Sequence, residues 1–200
     1  MLDNDKARAT ASRIVDPIAR VLLRIGLTPN MVTFGTSVIV SVLVLLTWSQ
    51  GRFGLGLLLC VPLVFGDLLD GTMARLSGNV SPWGSFLDSV MDRVTDAAIV
   101  SALIMYSASR ADSVGVIAGA ACLATTALIP YIRAKAEAIS IECKVGLMER
   151  SERLFVVLLM GISGALGYVQ GITYGLVLMA ALNLFTVFQR MNAVRKSVNS

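Results

Sequence analysis

Residues 61–92 read VPLVFGDLLDGTMARLSGNVSPWGSFLDSVMD and place four aspartates, Asp67, Asp70, Asp88 and Asp92, in largely apolar sequence. An ionised aspartate at the centre of a bilayer costs about 2.5–3.5 kcal/mol, so four together would cost roughly 10 kcal/mol. Water, cations or both must offset that cost. The stretch therefore predicts two consecutive helices whose acids face a hydrated cavity near a membrane surface.

The spacing of the aspartates places each pair on one face of a helix. Asp67 and Asp70 are three residues apart, and Asp88 and Asp92 are four apart, which are the separations of neighbours on a helix surface. Two facing helices would present all four carboxylates to one point. Oxygen-only ligation suits Mg²⁺ or Mn²⁺. Because four carboxylates exceed what one ion needs, we expect two ions.

The composition of the whole chain indicates a membrane protein. Of 200 residues, 56% are hydrophobic and 15% are charged, and the mean hydropathy is +0.76, whereas soluble domains are about a quarter charged. At about 20 residues per span the chain could cross a bilayer about six times. It contains no histidine, which excludes Ser-His-Asp catalysis and histidine-ligated zinc. We expect membrane lipid, and no nucleic acid, as a partner.

The expected fold is an all-α integral membrane domain over residues 1–200, with six transmembrane helices preceded by an interfacial amphipathic helix. Residues 1–27 form the N-terminal segment with this juxtamembrane helix, and residues 28–200 form the six-helix core. An ordinary docked helix remains the alternative for the first element. The six spans are expected at residues 31–50, 53–76, 83–109, 112–137, 152–168 and 172–194.

The distribution of lysine and arginine predicts the orientation in the cell membrane. Basic residues concentrate in the N-terminal segment, after the second and fourth expected spans and at the C-terminus, whereas the opposite side carries only Arg52 and Arg110. By the positive-inside rule both termini, and the aspartates with them, face the cytoplasm.

The aspartates belong to a longer pattern, D-x-x-D-G-x-x-A-R-x8-G-x-x-x-D-x-x-x-D, in which all eight specified residues are present. This pattern is the signature of the CDP-alcohol phosphotransferase family, which the chain resembles. The resemblance implies an enzyme that displaces CMP from a CDP-linked donor with an alcohol. Asp67, Asp70 and Asp88 would be metal ligands. Asp92 would help to hold the second metal and act as the base.

The resemblance also implies a nucleotide site beside the acids. The small residues of the pattern would let the nucleotide approach, although small-residue helix packing is an alternative for each of them. The stretch from Thr28 to Thr33 resembles the family's other nucleotide-contacting segment, although proline and asparagine there also suit a plain helix start. The implied nucleotide-binding residues are Pro29, Asn30, Thr33, Gly71, Ala74, Arg75 and Gly84.

Three cations indicate the acceptor. Lys135, Arg153 and Arg195 lie at the expected cytoplasmic ends of three helices and could converge on a phosphate, although such ends collect basic residues anyway. Residues 131–137 and 145–154 resemble the phosphatidylinositol phosphate synthases of actinobacteria. That resemblance implies that these cations bind the phosphate of myo-inositol phosphate, with CDP-diacylglycerol as donor and phosphatidylinositol phosphate and CMP as products.

Other readings stay open. A phosphatidylglycerophosphate synthase would use glycerol 3-phosphate and could share much of the pocket. A divalent-cation transporter explains the acids but not the fixed spacing of Arg75 and Gly84, and a structural scaffold predicts no buried charge. Asp96, four residues after Asp92, is expected either to support a metal ligand or to form a salt bridge, and not to bind a metal itself. A small-residue motif at residues 115–119 suggests a homodimer.

Overall fold

The computed structural model describes residues 15–64, 66–78 and 80–198, and the side chains at positions 62, 64 and 66–68 lie outside what it describes. All regular structure in the described part of the chain is helical, which confirms the all-α prediction. Residues 15–24 form helix α1. The other elements are α2 (Pro29–Thr47) with a 3₁₀ turn (Trp48–Gln50), α3 (Phe53–Val64), α4 (Gly66–Ser77), α5 (Pro82–Ser109), α6 (Ser113–Glu137), α7 (Arg150–Ala165) and α8 (Gln170–Val198).

Three helices of the described chain are long and apolar enough to cross a membrane: Pro29–Gln50, Ser113–Glu137 and Gln170–Val198. They match the first, fourth and sixth expected spans. The third expected span is one helix, α5, but it carries the acids. The fifth, α7, has 16 residues, fewer than the roughly 20 that span a bilayer upright. The second expected span corresponds to α3 and α4.

Apolar side chains on the surface of α2 are typical of a helix that contacts lipid. Exposed apolar residues recur at every fourth position of the helix, namely Phe34, Val38, Val42 and Leu46. A continuous apolar stripe of this kind is unfavourable in water. The stripe and the three long helices identify a membrane protein.

The chain forms two compact units, of which the first comprises the described parts of Met1–Val42 and Leu59–Thr95. Its core joins Ala19 of α1, Val32 of α2 and Met73 of α4. Helix α1 is therefore docked by one face. Leu22 and Leu23 also pack against this core, whereas Ile18 and Val21 are exposed. The exposed face is available to lipid, and the interfacial location of α1 stays a prediction.

The second unit comprises Leu43–Leu58 and Asp96–Ser200, of which residues up to 198 are described. Helix α8 packs against α6 and α7. Glycines permit close helix contacts here: a Cβ at Gly164 would lie 2.4 Å from Phe53 Cδ2. The buried Asn183 Nδ2 donates to the hydroxyls of Thr125 and Thr126, at 3.2 Å each, which fixes α8 against α6.

The small-residue motif that suggested a homodimer packs within the chain. A Cβ at Gly115 would lie 2.5 Å from Ser107 Oγ, and one at Gly119 would lie 2.5 Å from Ile104 Cγ1. Both glycines therefore serve the contact of α6 with α5. The motif's intramolecular use accounts for its presence, and the homodimer stays a prediction without support from it.

Candidate active site

Helix α2 begins with a capped turn that presents Asn30. The N–H of Met31 donates to Thr28 Oγ1 at 3.3 Å, and Pro29 occupies the first helical position, where its missing N–H costs nothing. The interpretation of Pro29 and Asn30 as a helix start is thereby confirmed. The same geometry places the polar side chain of Asn30 at the mouth of the helix.

Helix α5 begins in the same way, close to Asn30. Ser81 caps it by accepting the N–H of Gly84 at 3.1 Å, and Pro82 takes the first helical position. A Cβ at Gly84 would lie 3.1 Å from Asn30 Oδ1 and 3.4 Å from Ser81 Oγ. Glycine at position 84 therefore lets the starts of α2 and α5 approach each other.

Between these two helix starts lies an open, mostly polar cleft of about 380 Å³. Two helix N-termini at one cleft present backbone N–H groups and the positive ends of two helix dipoles, which favour anions. Of the predicted nucleotide residues, Pro29 and Asn30 line the cleft and Gly84 adjoins it. The lining residues are Thr28, Pro29, Asn30, Gly78, Val80 and Ser81.

Helix α4 carries three more of the predicted nucleotide residues. Among the described side chains, a Cβ at Gly71 would meet only Arg75 Nη1, at 3.9 Å. Arg75 is exposed, and its Nη2 donates to Thr72 Oγ1 at 3.0 Å. Ala74 is half-buried. Gly71 thus differs from the packing glycines of the second unit, because no described neighbour presses on the position of its missing side chain.

Among the four predicted metal ligands, Asp70 has a described hydrogen-bond partner on another helix. It is buried, and its Oδ2 accepts a hydrogen bond of 2.5 Å from Thr33 Oγ1 of α2. Asp88 and Asp92 are half-buried on α5, and Asp92 Oδ2 lies 3.7 Å from Nη2 of its neighbour Arg93. The Asp67 side chain lies outside the described residues.

The donor chemistry of these aspartates fits a hard divalent ion, because buried and half-buried carboxylate oxygens are the ligands that Mg²⁺ and Mn²⁺ accept. Among the side chains that the structure describes, no three acidic or cysteine residues lie close enough together to hold an ion. That set omits Asp67. The gathering of all four carboxylates around one point therefore stays a prediction.

In the second unit, Arg153 is held in a buried ion pair. Its Nη2 donates to Asp96 Oδ2 at 3.0 Å, and its Nη1 donates to the carbonyl of Met148 at 3.3 Å. The predicted salt bridge of Asp96 is confirmed. Only 4% of Arg153 is exposed, so the guanidinium is fixed by α5 and by the loop before α7.

The neighbouring cation, Arg190 of α8, was not among the predicted site residues. It is as buried as Arg153, and its Nε and Nη1 donate to the carbonyls of Val145 and Ile129, both at 2.8 Å. Arg190 bonds to Val145 and Arg153 bonds to Met148, so both buried guanidiniums hold the loop that precedes α7. The sequence offered no distinct signal for Arg190, because it lies among polar and basic residues near the end of α8.

The other two predicted acceptor residues lie on the surface. Lys135, in the last turn of α6, is exposed. Arg195 is exposed too, and it lines an open groove of about 650 Å³ along α8 with Phe185, Phe188 and Met191 among others. Within the described chain, the structure thus places Arg153 and Arg190 on one loop, and these two residues are called the arginine cluster below. It gives no contact that joins Lys135 or Arg195 to them.

Known proteins resemble this chain in sequence and fold over most of its length. A phosphatidylinositol phosphate synthase of Cutibacterium acnes is 38% identical over 96% of this chain and 98% of its own length. The crystal structure of the Mycobacterium tuberculosis phosphatidylinositol phosphate synthase with CDP-DAG bound has a TM-score of 0.85 at 35% identity and covers 91% of this chain and 94% of that one.

The same mycobacterial enzyme in complex with manganese and citrate has a TM-score of 0.81 at 34% identity, with 89% of this chain and 87% of that one covered. Residues 26–191 match the sequence profile of the CDP-alcohol phosphatidyltransferases. The matched stretch includes both helix starts, the aspartate pattern and the arginine cluster. This chain therefore belongs to the CDP-alcohol phosphatidyltransferase family.

Proposed function

We propose that this membrane enzyme transfers the phosphatidyl group of CDP-diacylglycerol to myo-inositol phosphate, giving phosphatidylinositol phosphate and CMP in phospholipid biosynthesis. The observation that carries the choice of acceptor is the near full-length similarity to a phosphatidylinositol phosphate synthase, 96% of this chain against 98% of the relative. The polar cleft at the starts of α2 and α5, next to the aspartate pattern in sequence, supports the choice of a nucleotide-linked donor.

In this proposal two divalent ions, Mg²⁺ or Mn²⁺, are held by Asp67, Asp70, Asp88 and Asp92. When bound, such ions neutralise the pyrophosphate and stabilise the departing CMP. Asp92 accepts the proton of the acceptor hydroxyl as the new P–O bond forms and the pyrophosphate P–O bond breaks. The manganese complex of the mycobacterial relative supports a divalent ion.

The nucleotide lies against α2, α4 and α5 in this proposal. Pro29 and Asn30 contact it from the cleft, with the helix N-termini favouring its phosphates. Gly71 and Ala74 allow it to approach α4, and Arg75 pairs with a phosphate. Gly84 keeps the two helix starts close. Thr33, predicted as a nucleotide residue, has a hydroxyl that is bonded to Asp70.

The arginine cluster is the favoured site for the phosphate of the acceptor. Arg153 and Arg190 are buried and fixed by backbone carbonyls, and Arg153 is also paired with Asp96. In this proposal their remaining donors hold the phosphate without reordering long side chains. Lys135 and Arg195 are proposed as outer contacts that attract the anion. Arg195 lies beyond the stretch that matches the family profile, which makes it the weaker member.

The membrane arrangement is also a proposal beyond the three candidate spans. Six crossings with α1 in the interface would place both termini and the site in the cytoplasm, where the basic residues concentrate. A homodimer is proposed without a defined contact surface.

The test is CMP release by purified protein in detergent with CDP-diacylglycerol, Mg²⁺ and either inositol phosphate or glycerol 3-phosphate. We expect turnover with inositol phosphate. We also expect Asp92→Asn to lower turnover by about 10²–10⁴-fold, the range of general-base catalysis, while the variant elutes and melts like the wild type. Turnover with glycerol 3-phosphate alone would replace the proposed acceptor, and turnover with neither would overturn the proposed reaction.

A further inference from the structure

The hydrogen bond between Thr33 and Asp70 is unlike the other hydroxyl contacts of α2. Thr36, Ser41 and Thr47 each donate to the carbonyl four residues earlier, at 2.7–2.8 Å, which is the usual bond of such residues inside helices. Thr33 also has that option, with the Pro29 carbonyl at 3.1 Å. Its hydroxyl lies much nearer to Asp70 Oδ2, however, at 2.5 Å.

The single proton of the Thr33 hydroxyl therefore goes to the carboxylate. A hydroxyl-to-carboxylate bond is charge-assisted, and lengths of about 2.5–2.7 Å are typical of such bonds. Both partners are buried, with exposed fractions of 6% for Thr33 and 8% for Asp70, so water competes little for either. The bond fixes the rotation of the Asp70 carboxylate.

Groups that bond to a metal-binding side chain orient it and tune its affinity, and their loss typically weakens metal binding about 10- to 100-fold. Thr33 lies one turn after Pro29 on α2, and Asp70 lies on α4. Their bond therefore joins the helix start that lines the cleft to the helix that carries the proposed metal ligand.

We propose that Thr33 is a positioning residue for Asp70: its hydroxyl aims the carboxylate for metal binding, and the residue acts through Asp70 rather than by contacting the nucleotide. This inference rests on the proposed function, in which Asp70 binds a divalent ion. It changes the role of Thr33 from a nucleotide contact to a support of the metal site.

The test compares Mn²⁺ binding by Thr33→Val, Thr33→Ser and Thr36→Val, measured by the electron paramagnetic resonance signal of free Mn²⁺. Valine keeps the shape of threonine and removes the donor, and serine keeps the donor. Thr36→Val is the matched control, because Thr36 is half-buried on the same helix and bonds to a backbone carbonyl. We expect the Mn²⁺ dissociation constant to rise about 10- to 100-fold in Thr33→Val and to stay within about 3-fold of the wild type in the other two.

A second readout is the Mg²⁺ concentration for half-maximal CMP release, which should rise in Thr33→Val by the same factor and return with serine. If Thr33→Val does not fold, Thr33→Cys replaces the hydroxyl of the Thr33→Ser variant with a weaker thiol donor. Relative to Thr33→Ser it should show a rise of the same kind that is smaller than the one expected for valine. Unchanged metal binding in the folded donor-deficient variant, with a raised KM for CDP-diacylglycerol, would overturn the inference in favour of a nucleotide contact.

The outcomes separate the inference from the function on which it rests. If the wild type binds Mn²⁺ and releases no CMP with either acceptor, the proposed reaction fails while the comparison of Thr33 with Thr36 still decides the positioning role. If the wild type turns over and Thr33→Val binds Mn²⁺ like Thr36→Val, the positioning role alone is wrong. A wild type that binds no Mn²⁺ would overturn both.

Discussion

Asp70 and Asp96 are both buried aspartates, with exposed fractions of 8% and 6%, but their described partners differ. Asp70 accepts a hydrogen bond from the neutral hydroxyl of Thr33 at 2.5 Å. Asp96 faces the guanidinium of Arg153 at 3.0 Å. The described contact of Asp96 supplies a counter-charge, whereas the described contact of Asp70 fixes the orientation of its carboxylate. We interpret Asp96 as a structural acid and propose Asp70 as a metal ligand.

The largest expected effect comes from removing the counter-charge of Arg153. Asp96→Asn leaves a buried guanidinium without its anion, and breaking a buried pair in this way costs about 3–5 kcal/mol. Thermal unfolding in detergent should show this loss. The double variant Asp96→Asn with Arg153→Gln should lose less stability than Asp96→Asn alone, because no uncompensated charge is left. Equal losses in the single and double variants would remove the pair from this structural role.

The cations differ in burial, because Arg190 is buried and Arg195 is exposed. Arg190→Lys keeps the charge but loses the two hydrogen bonds that the guanidinium donates to the carbonyls of Val145 and Ile129. We therefore expect the KM for inositol phosphate to rise about 10- to 100-fold, the range for one or two lost charge-assisted hydrogen bonds. Arg195→Gln, at an exposed site, should raise it only a few-fold. CMP release at saturating CDP-diacylglycerol measures both. A larger effect at Arg195 would move the acceptor phosphate away from the buried cluster.

The glycine beside Asp70 tests whether the space on α4 belongs to a ligand. Among the described residues the added methyl group of Gly71→Ala meets no close neighbour. Alanine is also the better helix former by up to about 1 kcal/mol, so the variant should unfold no earlier than the wild type. We expect its KM for CDP-diacylglycerol to rise about tenfold, since the methyl group would displace the nucleotide.

Gly164→Ala is the control for this variant, because its methyl group would press on Phe53 and should lower stability. If Gly71→Ala keeps the wild-type KM, the open space beside α4 is not the nucleotide site.

The smallest effect is expected at a third aspartate, Asp112, which lies in the turn before α6. It caps the helix by accepting the N–H of Gly115 at 2.9 Å. The hydroxyl of Thr173, and then the Gly115 N–H, lower the pKa of Asp112. The stabilisation is therefore present above the unfolded pKa of about 3.9 and is lost as the pH falls through the lowered folded value.

Asp112→Ala should cost about 1 kcal/mol at neutral pH, as for other N-caps, and the cost should shrink on acidification below pH 4. Thermal unfolding of the two proteins across this range checks the expectation. A cost that grows on acidification would contradict the assigned sign.

The helices and the aspartate pattern were accessible to sequence reasoning because both depend on residues that are close in the chain. Proline and asparagine at positions 29 and 30 indicated the start of α2, and helical spacing predicted the faces that Asp70 and Asp88 share with their neighbours. For Asp96 the sequence indicated a salt bridge but not its partner. Arg153 lies 57 residues away, and periodicity carries no information about such pairs.

Long-range partners account for the features that the sequence did not reveal. Arg190 resembles any basic residue near a helix end until its bonds to two distant carbonyls are seen. The hydroxyl of Thr33 has an ordinary local acceptor, so nothing in the sequence distinguishes it from Thr36. The motif at Gly115 and Gly119 suits a contact within a chain as well as one between chains, and only the packing against Ser107 and Ile104 separates these readings.

The most direct test of the central claim is Mn²⁺ binding by the wild type, Asp70→Asn and Asp96→Asn, measured at a temperature where all three are folded. If Asp70 is a ligand and Asp96 a structural acid, Asp70→Asn should weaken binding by more than about 100-fold, beyond the usual loss of a supporting residue. Asp96→Asn should stay within about 3-fold of the wild type. Wild-type affinity in Asp70→Asn, or an equal loss in a folded Asp96→Asn, would contradict the account.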